Sequence, residues 1–441
     1  MNSQASALLT DLYQLTMLQA YVEQGMEETA VFEFFVRKLP SNRGFLMAAG
    51  FAQVLDYLES LHFEPWELDW LTRTGHFSKA FVEYLARFRF TGEVHAIAEG
   101  TIVFPNEPIV QVVAPLPQAQ FIETRLINLL HFQTVIASKA ARLVLIAPDA
   151  PLIDFGLRRA HGSEAGVLAT RAAYMAGFAG TATVLAGALF DIPIYGTMAH
   201  AFIQAHDEES DAFEHFAASH SGNVVLLIDT YDTEIAAQKV VSLSPGLAQR
   251  GITIQAVRLD SGDLADHARK VRQILDKGGL KQVQIIASGN IDELTLQRLI
   301  ASHAPIDSFA VGTHLTVSPD APYLDCAYKI QQYAGKARRK RSEGKATWPG
   351  RKQVYRFYGS DGRIDHDVLT LVEDRQDGEP LLRPVMRAGK RVAPDLPLIA
   401  IRGHAAKQLS RLCARLNQHD DGPPVSVFVS AALQTLTDSL R

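Results

Sequence analysis

A histidine follows the strand-like stretch DIPIYGT and is the first candidate for chemistry. A strand, then Gly196 and Thr197, then a helical pattern predicts Thr197 as the N-cap and His200 in the first helical turn. The start of a helix disfavours a charged imidazolium and favours an attached anion. This place predicts a neutral imidazole that acts as a nucleophile or base, or else a bonded core histidine. His206 lies six positions on, off the same helical face, so zinc binding is not predicted.

Charged side chains follow two further strand-like runs, VVLLID and IQAVRLD. Arg258 and Asp260 are two residues apart on one strand and therefore point to the same side. With Asp229 they predict a site for sugar hydroxyls or for a hydrated magnesium ion. Asp232 and Asp263 follow the same strands, and each of the four carboxylates has the alternative role of capping a helix.

The segment DFGLRRAHGSEAG places arginines beside the start of a helix. Arg158, with the free backbone N–H groups near Gly162 and Ser163, suits a phosphate or a carboxylate. The alternative is an ordinary surface ion pair. Phe155, at the end of the preceding strand, has a flat ring that suits stacking on a ligand, with a place in the core as the alternative.

Small residues and hydroxyls end two more strands, in ASGNID and AVGTHLT. Such residues after a strand are the usual parts of a phosphate-binding cup, although many form only a turn. Neither segment matches a P-loop or a dinucleotide-binding fingerprint. The residues in question are Ser288, Gly289, Asn290, Gly312 and Thr313.

The elements that carry these residues repeat through the middle of the chain. Six short runs rich in Val and Ile are each followed by polar or Gly residues, and the first five then lead into a helical pattern. Strands without alternation are buried on both faces, and parallel strands place their sites at the carboxyl ends. We predict a TIM-like α/β barrel at residues 121–335. An α+β domain built from both chain ends is predicted at residues 1–120, completed by residues 336–441.

Composition excludes several classes of protein. The 441 residues carry a net charge of −5, and the basic run at 336–345 has no interleaved aromatics, so nucleic-acid binding is not predicted. Cys326 and Cys413, the only two cysteines, make no metal spacing or disulfide framework, as expected in a reducing cytoplasm. No apolar run approaches the roughly 18 residues of a membrane span, and the N-terminus lacks a secretory pattern.

Eight motifs together resemble the nicotinate phosphoribosyltransferases, in the order that this family has them. They are LLTDLYQLTM, DFGLRRAHGSEAG, FAGTATVLAG, YGTMAH, VRLDSGDL, SGNID, VGTHLTVS and SEGKATWPGRKQVYR. The resemblance spans nearly the whole chain. It implies a type II phosphoribosyltransferase with an irregular barrel. It also implies ATP-coupled transfer of phosphoribosyl from phosphoribosyl pyrophosphate to nicotinate.

The resemblance also implies roles for individual residues. His200 corresponds to the histidine that ATP phosphorylates, and Asp260 to the residue on the ribose hydroxyls. Tyr13 would reach a neighbouring subunit's site in a homodimer and stack on the pyridine ring opposite Phe155. The remaining assignments are Thr197 to nicotinate, Arg158 and Arg258 to its carboxylate or the phosphates, Gly289, Gly312 and Thr313 to the 5′-phosphate, and Lys345, Lys352 and Arg356 to a flap over pyrophosphate or ATP.

One position bears on the acceptor. Related nicotinamide-using enzymes carry Asp where this chain has Ala182, and an Asp there would repel the carboxylate of nicotinate. The chain departs from the usual family pattern at Ala182, Thr183 and Ala201. The alternatives are a barrel phosphoribosyltransferase that uses nicotinamide or quinolinate, and a non-catalytic ligand sensor or phosphohistidine carrier.

Overall fold

The computed structural model describes residues 6–342, 345, 347–412 and 425–440. The chain forms two compact units, which we call the terminal unit (residues 1–138 and 320–441) and the central unit (residues 139–319). These boundaries differ from the predicted 120 and 335. One long helix crosses the first boundary, and a strand within residues 320–335 pairs with the first strand of the chain. Cys413 and three residues of the predicted flap, Glu343, Gly344 and Ala346, lie outside the described residues.

The helices follow one another in chain order. They are α1 (Leu12–Glu23), α2 (Phe51–Ser60), α3 (Pro65–Thr74), α4 (Lys79–Ala86), α5 (Leu116–Phe121), α6 (Glu123–Ile146), α7 (Ser163–Ala176), α8 (Val184–Phe190), α9 (His200–Gln204), α10 (Glu209–Ser219), α11 (Thr233–Gln249), α12 (Leu264–Lys277), α13 (Glu293–Ala301), α14 (Thr313–Thr316), α15 (Leu398–Ser410) and α16 (Ala431–Ser439). A 3₁₀ turn covers Leu157–Arg159.

The strands are numbered in the same way. They are β1 (Thr29–Val36), β2 (Leu46–Met47), β3 (Glu93–Ala96), β4 (Ile102–Val103), β5 (Val110–Pro115), β6 (Leu152–Asp154), β7 (Gly180–Thr181), β8 (Val224–Leu227), β9 (Ile254–Leu259), β10 (Gln284–Ala287), β11 (Ser308–Val311), β12 (Cys326–Tyr333), β13 (Lys336–Ala337), β14 (Lys352–Tyr358), β15 (Ile364–Leu371), β16 (Glu379–Pro380), β17 (Arg383–Arg387), β18 (Lys390–Arg391) and β19 (Ser426–Val429).

A parallel sheet organises the central unit. Its six strands are ordered β7-β6-β11-β10-β9-β8, and every pairing between them is parallel. The strands β8 and β11 are buried along their whole length, as their apolar runs without alternation predict. The prediction of a mixed α/β fold with a parallel sheet of βα units is therefore confirmed. Backbone pairing among the described residues makes a half-barrel.

The predicted strand at DIPIYGT is wrong as a full strand. Only a single bridge joins Ile194 to Thr181 of β7, and Tyr195 N donates to the carbonyl of the same Thr181. The segment approaches β7 closely, since Thr181 N donates to the Pro193 carbonyl at 3.0 Å and a Cβ at Gly180 would lie 2.3 Å from the same oxygen. On the other side, the Thr197 hydroxyl donates a hydrogen bond to the carbonyl of Val225 on β8. Residues 193–197 therefore contact both edge strands of the sheet.

The terminal unit is built on a seven-stranded sheet ordered β13-β12-β1-β5-β3-β17-β18, beside a four-stranded sheet ordered β16-β14-β15-β19. The strand β1, TAVFEFFV, pairs antiparallel with both β12 and β5 and is buried except at its first residue. Its β-branched and aromatic residues suit such a central strand. Phe32 stacks on Tyr328 of β12 with ring centroids 5.0 Å apart.

One described helix, α6, has the length and apolarity of a membrane span, with a mean hydropathy of 1.3 over its most apolar window. Two-thirds of that window (67%) is buried inside the protein. A long apolar helix that is mostly buried is typical of a protein core.

Two cations predicted for the flap are instead buried in the terminal unit. The guanidinium of Arg356 is fully buried and bonds both carboxylate oxygens of Asp367, at 2.9 and 2.6 Å. The ammonium of Lys352 lies 2.8 Å from a Glu33 oxygen and donates to two backbone carbonyls. Because these charges are already neutralised away from solvent, the structure does not support a flap role for Lys352 and Arg356.

A second carboxyl group, Glu107, lies beside the Arg356–Asp367 pair and is fully buried. Burial, followed by the charge and hydrogen bonding of Asp367, raises the pKa of Glu107 well above its ordinary value. The folded protein therefore favours the protonated form of Glu107, since one arginine cannot neutralise two buried carboxylates.

This raised pKa predicts how stability depends on pH. The contribution of protonated Glu107 to the free energy of unfolding is complete below the unfolded carboxyl pKa of about 4.3. It is lost as the pH rises toward the folded pKa. Glu107→Gln mimics the protonated acid and escapes this loss. Its free energy of unfolding relative to the original protein should therefore rise by up to about 1.4 kcal/mol per pH unit above about pH 5. Denaturant unfolding at several pH values measures this, with exposed Glu373→Gln as the control. Parallel curves for Glu107→Gln and the unsubstituted protein would contradict the assignment.

Candidate active site

A cluster of charged residues gathers at the carboxyl ends of three neighbouring strands, β8, β9 and β10. The Arg258 guanidinium donates from Nη2 to Asp260 Oδ1 at 2.8 Å and from Nε to Ser288 Oγ at 2.9 Å. Ser288 Oγ in turn donates to Asp260 Oδ1 at 2.5 Å. The register β8-β9-β10 brings these residues together, because parallel strands end at the same edge of the sheet.

The charge of Asp260 is stabilised by this arrangement. Burial raises the pKa of Asp260, but the hydrogen bond from Ser288 and the adjacent Arg258 outweigh burial and hold its pKa below the ordinary value. Asp260 is therefore an anion with fixed oxygens at neutral pH. Its side chain keeps 30% exposure, so one oxygen remains open to a ligand.

Arg258 also meets the ring of Phe155, which follows β6. The guanidinium carbon lies 5.3 Å from the ring centroid, within cation–π distance. Phe155 N donates to the Val311 carbonyl at 2.9 Å, which holds the ring at the strand end. The half-buried Phe155 therefore presents a flat surface beside a guanidinium, an arrangement that suits an aromatic carboxylate.

His200 lies across from Asp260. Its Nε2 is 3.8 Å from Asp260 Oδ2, and its Nδ1 is 3.1 Å from Thr230 Oγ1. The ring keeps 40% exposure. The first-turn position of His200 is as predicted, but the N-cap is Ala199 rather than Thr197. The helix α9 has only five residues, so its dipole is small, and the side-chain contacts orient the imidazole instead.

Asp229 links β8 to β9. Its Oδ2 accepts from the backbone N–H of Asp260 at 3.0 Å and from Ser261 Oγ at 2.6 Å. Its Oδ1 is buried without a hydrogen-bond partner in the described structure. An orphan carboxylate oxygen beside a second carboxylate fits a hydrated Mg²⁺ that completes its shell with water and oxygen atoms of a ligand. Among the described residues, no group of three or more His, Cys, Asp or Glu side chains gathers in a way that could hold a metal ion.

Other acids at these strand ends have the alternative role of helix caps. Asp232 accepts from Ile235 N at the start of α11, and Asp263 accepts from Ala265 N and Asp266 N at the start of α12. Asp229 and Asp260 cap no helix among the described residues. They are therefore available to the site, whereas Asp232 and Asp263 serve as helix caps.

Sequence reasoning missed the buried Asp154 at the end of β6. Its carboxylate accepts from Gly156 N at 2.8 Å, Thr170 Oγ1 at 2.6 Å and Thr181 Oγ1 at 2.8 Å. Burial raises the pKa of Asp154 despite these three donors. Asp154 thereby positions the turn after β6, including Phe155. The sequence does contain a signal for Asp154, because it ends an apolar strand directly before Phe155. An acid within a buried strand requires hydrogen-bond partners.

Two predicted glycines lie close to neighbouring backbone. Gly289 has a φ of +94°, and a Cβ there would lie 2.0 Å from the Asp260 carbonyl oxygen. A Cβ at Gly312 would lie 3.0 Å from the Phe155 carbonyl oxygen. Asn290 has a φ of +50°, in the left-handed region, and Thr313 begins the short α14. The Gly289 turn therefore lies against the end of β9, and the Gly312 turn lies against Phe155 after β6.

The remaining predicted residues lie outside the charged cluster. Arg158 is exposed in the 3₁₀ turn, and exposed Ala182 donates its backbone N–H to the Asp154 carbonyl at 2.8 Å. The hydroxyl proton of Thr197 is directed to Val225 and is not free to donate to a ligand. In the terminal unit, Lys345 is exposed in a loop, and Tyr13 is 47% exposed on α1.

The crowding at Gly289 makes a testable prediction. Gly289→Ala should place a methyl group against the Asp260 carbonyl, shift the β9–β10 turn and lower stability by about 3 kcal/mol or more. Gly279→Ala is the matched control, because Gly279 also has a positive φ (+80°) but no atom within 4 Å of its Cβ position. The control should cost only about 1 kcal/mol. Thermal unfolding measures both, and equal losses would refute the steric explanation.

Comparison with known families agrees with this geometry. A model described as the nicotinate phosphoribosyltransferase (NAPRTase) N-terminal domain matches residues 8–131, and the NAPRTase family model matches residues 151–345. The chain is 46% identical over 421 residues to nicotinate phosphoribosyltransferase pncB2 of Mycobacterium tuberculosis, covering 94% of this chain and 89% of that protein. It is 39% identical over 386 residues to the nicotinate phosphoribosyltransferase of Bacillus subtilis, covering 86% and 78%.

Solved structures give the same result. The crystal structure of human nicotinic acid phosphoribosyltransferase superposes with a TM-score of 0.88 at 28% identity, covering 98% of this chain and 99% of that one. The nicotinate-nucleotide pyrophosphorylase of Pyrococcus furiosus has a TM-score of 0.76 at 25% identity, covering 93% and 96%. The chain belongs to the nicotinate phosphoribosyltransferase family.

Proposed function

We propose that this protein transfers phosphoribosyl from phosphoribosyl pyrophosphate to nicotinate, giving nicotinate mononucleotide and pyrophosphate, with ATP hydrolysis coupled through a phosphohistidine on His200. The observation that carries the proposal is the cluster at the ends of β8–β10, where a fixed Asp260 anion lies between Arg258 and the exposed His200 ring. The named relatives support the transfer reaction. The phosphohistidine and its coupling to ATP are proposed from the position of the His200 ring beside Asp260.

The transfer step needs orientation and charge compensation more than proton transfer. The pyridine nitrogen already has a lone pair, so no general base is required. We propose that nicotinate stacks on Phe155 with its carboxylate toward Arg258 or Arg158, while Asp260 binds the ribose hydroxyls. The turns with Ser288, Gly289 and Asn290, and with Gly312 and Thr313, would surround the 5′-phosphate. Such positioning and electrostatic stabilisation lower the barrier to an oxocarbenium-like transition state.

Mg²⁺ is the proposed metal, held by Asp229 and Asp260 in the central unit. The unpartnered Oδ1 of Asp229 supports this assignment. The ion would neutralise the charge of the departing pyrophosphate. Asp229 also holds the Asp260 backbone, so the same carboxylate connects the metal to the ribose-binding residue.

We further propose a homodimer that shares its active sites. The exposed Tyr13 on α1 would contribute to the partner's site. In the central unit, α8 and the segment after it expose large apolar side chains at 44–69% of their surface, namely Val184, Leu185, Leu189, Ile194 and Tyr195. Exposed apolar clusters of this kind mark interaction surfaces. A second copy of the chain is the proposed cover, and a strictly monomeric active protein would contradict it.

We propose that the half-barrel is an irregular barrel completed by residues 193–197, which contact both edge strands. We propose the α+β domain of both chain ends as its companion, with exposed Lys345 in a flap. The protein is proposed to act in the cytoplasm.

The role of His200 is tested by an assay with nicotinate and phosphoribosyl pyrophosphate, with and without ATP. His200→Ala should abolish stimulation by ATP and leave slow ATP-independent transfer. His206→Ala is the matched control, because His206 bonds Phe202 and His215 rather than the charged cluster. Full ATP coupling in His200→Ala would refute the phosphohistidine. Quinolinate or nicotinamide as the preferred acceptor would favour the alternative transferases, and binding without product would favour a sensor.

The acceptor preference is tested at Ala182. Ala182→Asp should raise KM for nicotinate by at least about tenfold, because a carboxylate there repels the substrate carboxylate, and tenfold corresponds to about 1.4 kcal/mol. Ala182→Asn is nearly the same size and neutral, so it separates charge from bulk. Steady-state kinetics with nicotinate and with nicotinamide as the acceptor measures the effect. Equal KM values in the two variants would show that charge at position 182 does not decide the acceptor.

A further inference from the structure

The terminal unit contains a cavity of about 380 Å³ that the proposed reaction does not use. Pockets that bind small molecules commonly have volumes of about 300–1,000 Å³, so the space suffices for a metabolite-sized ligand. Its walls come from the chain after α1, from α4 with the residues that follow it, and from α5 with the residue before it. The side chains that line the cavity are mostly polar or aromatic, and their uncommitted groups indicate which ligand it fits.

Two arginines line the cavity, on either side of Phe88 in the chain. Arg87 is the C-cap of α4, and burial alternates after it, with Phe88 and Phe90 buried and Arg87 and Arg89 exposed. The ring of Phe88 packs against Phe121 with centroids 5.2 Å apart, which anchors the backbone between the two cations. Arg89 Nη1 donates to the Phe88 carbonyl at 2.6 Å, and neither guanidinium pairs with a carboxylate in the described part of the chain. Most donors of both guanidinium groups are therefore uncommitted.

Gln118 of α5 adds a third donor, and its amide orientation is fixed by its neighbours. The Gln118 Oε1 accepts from the backbone N–H of Thr91 at 2.8 Å and from Thr91 Oγ1 at 3.1 Å. Because a backbone N–H can only donate, the amide oxygen must face Thr91, and the Nε2 amino group is the end left for a ligand. Together with the two arginines, Gln118 therefore gives the cavity three side chains whose uncommitted groups are all donors.

An aromatic ring and a carboxylate also line the cavity. Tyr84, half-buried on α4, lies one turn before Phe88, and the two ring centroids are 6.1 Å apart. Burial, followed by the charge of Glu27, raises the pKa of the Tyr84 hydroxyl, which indicates that Glu27 lies near that ring. Glu27 is the one carboxylate among the described residues that line the cavity, so its two arginines leave a net positive charge. This charge favours an anionic ligand.

We propose that this cavity binds a nucleoside monophosphate. Arg87, Arg89 and the Gln118 amino group hold the phosphate, because charge-assisted hydrogen bonds from guanidinium groups to phosphate are the strong ones. The base stacks on the ring of Tyr84, and a ribose hydroxyl donates to Glu27. A bare inorganic anion would leave Glu27 and the Tyr84 ring without a partner, so a ligand that also carries hydroxyls and a ring fits the lining better. The inference does not depend on the reaction proposed for the central unit.

The first test localises binding by hydrogen exchange, with adenosine 5′-monophosphate as the probe. Backbone amides in residues 84–91 and 115–120 should exchange more slowly when the probe is present, and the dependence on its concentration gives an apparent Kd. Peptides of the central unit report separately on any binding of the probe there. Arg87→Gln combined with Arg89→Gln should raise the apparent Kd of the cavity at least about tenfold, because the charge-assisted contacts to the phosphate are lost.

The matched control is Arg73→Gln combined with Arg375→Gln. It removes the same two charges from exposed positions of the terminal unit that do not line the cavity. All four arginines are exposed, so both double variants should fold, and the control should keep the apparent Kd within about twofold. Absence of protection in residues 84–91 and 115–120 of the unsubstituted protein, or equal Kd values for the two double variants, would overturn the inference.

The second test asks whether the ligand is a nucleotide, with ribose 5-phosphate and adenosine as further probes in the same measurement. Tyr84→Leu should raise the apparent Kd for adenosine 5′-monophosphate at least about fivefold, because base stacking is lost. The same substitution should leave the value for ribose 5-phosphate within about twofold. Adenosine, which has no phosphate, should protect neither segment at the concentrations used. Equal losses for the two phosphates in Tyr84→Leu, or protection by adenosine as strong as that by its monophosphate, would contradict the assigned class of ligand.

Discussion

The carboxylate of Asp260 is the group on which the site depends. Arg258 and Ser288 bond its Oδ1, Asp229 holds its backbone N–H, and Gly289 packs against its carbonyl oxygen. These contacts come from three adjacent parallel strands, so they exist only when β8, β9 and β10 pair in register. A half-buried anion normally costs free energy, and here the fixed donors offset that cost. The result is a charged group whose open oxygen has a defined place.

Charge balance explains why such a site suits anionic substrates. Arg258 and Asp260 neutralise one another in the structure, and the ring of Phe155 covers the guanidinium. An aromatic acid that approaches Phe155 therefore meets an arginine already oriented by its neighbours, and less conformational entropy is lost on binding. The unpartnered oxygen of Asp229 is the feature on which the proposed magnesium site rests. His200 lies at the edge of this cluster, where its Nε2 is open.

In the terminal unit, the basic C-terminal motif indicates the family correctly, but the roles predicted for two of its residues are not supported. Lys352 and Arg356 stand in a basic motif that resembles the family's C-terminal segment, yet both side chains are buried in ion pairs of the fold. Their burial does not follow from the motif, because residues 354–356 of β14 are buried without alternation and the acidic partners come from other strands. Only the pairing with β15 shows that Asp367 meets Arg356.

The sequence by itself determined the class of fold, the family and most of the strand ends. Val- and Ile-rich runs without alternation predict buried parallel strands, and parallel strands collect their polar residues at one edge, so Asp229, Arg258 and Asp260 were found from local pattern alone. Tertiary structure decided which acids cap helices and which face the site, and that Ala199 rather than Thr197 precedes α9. It also showed the network around Asp154 and the contact of Thr230 with His200. These last features join residues from different strands, helices and loops, and their distances depend on strand order and register, which no local spacing encodes.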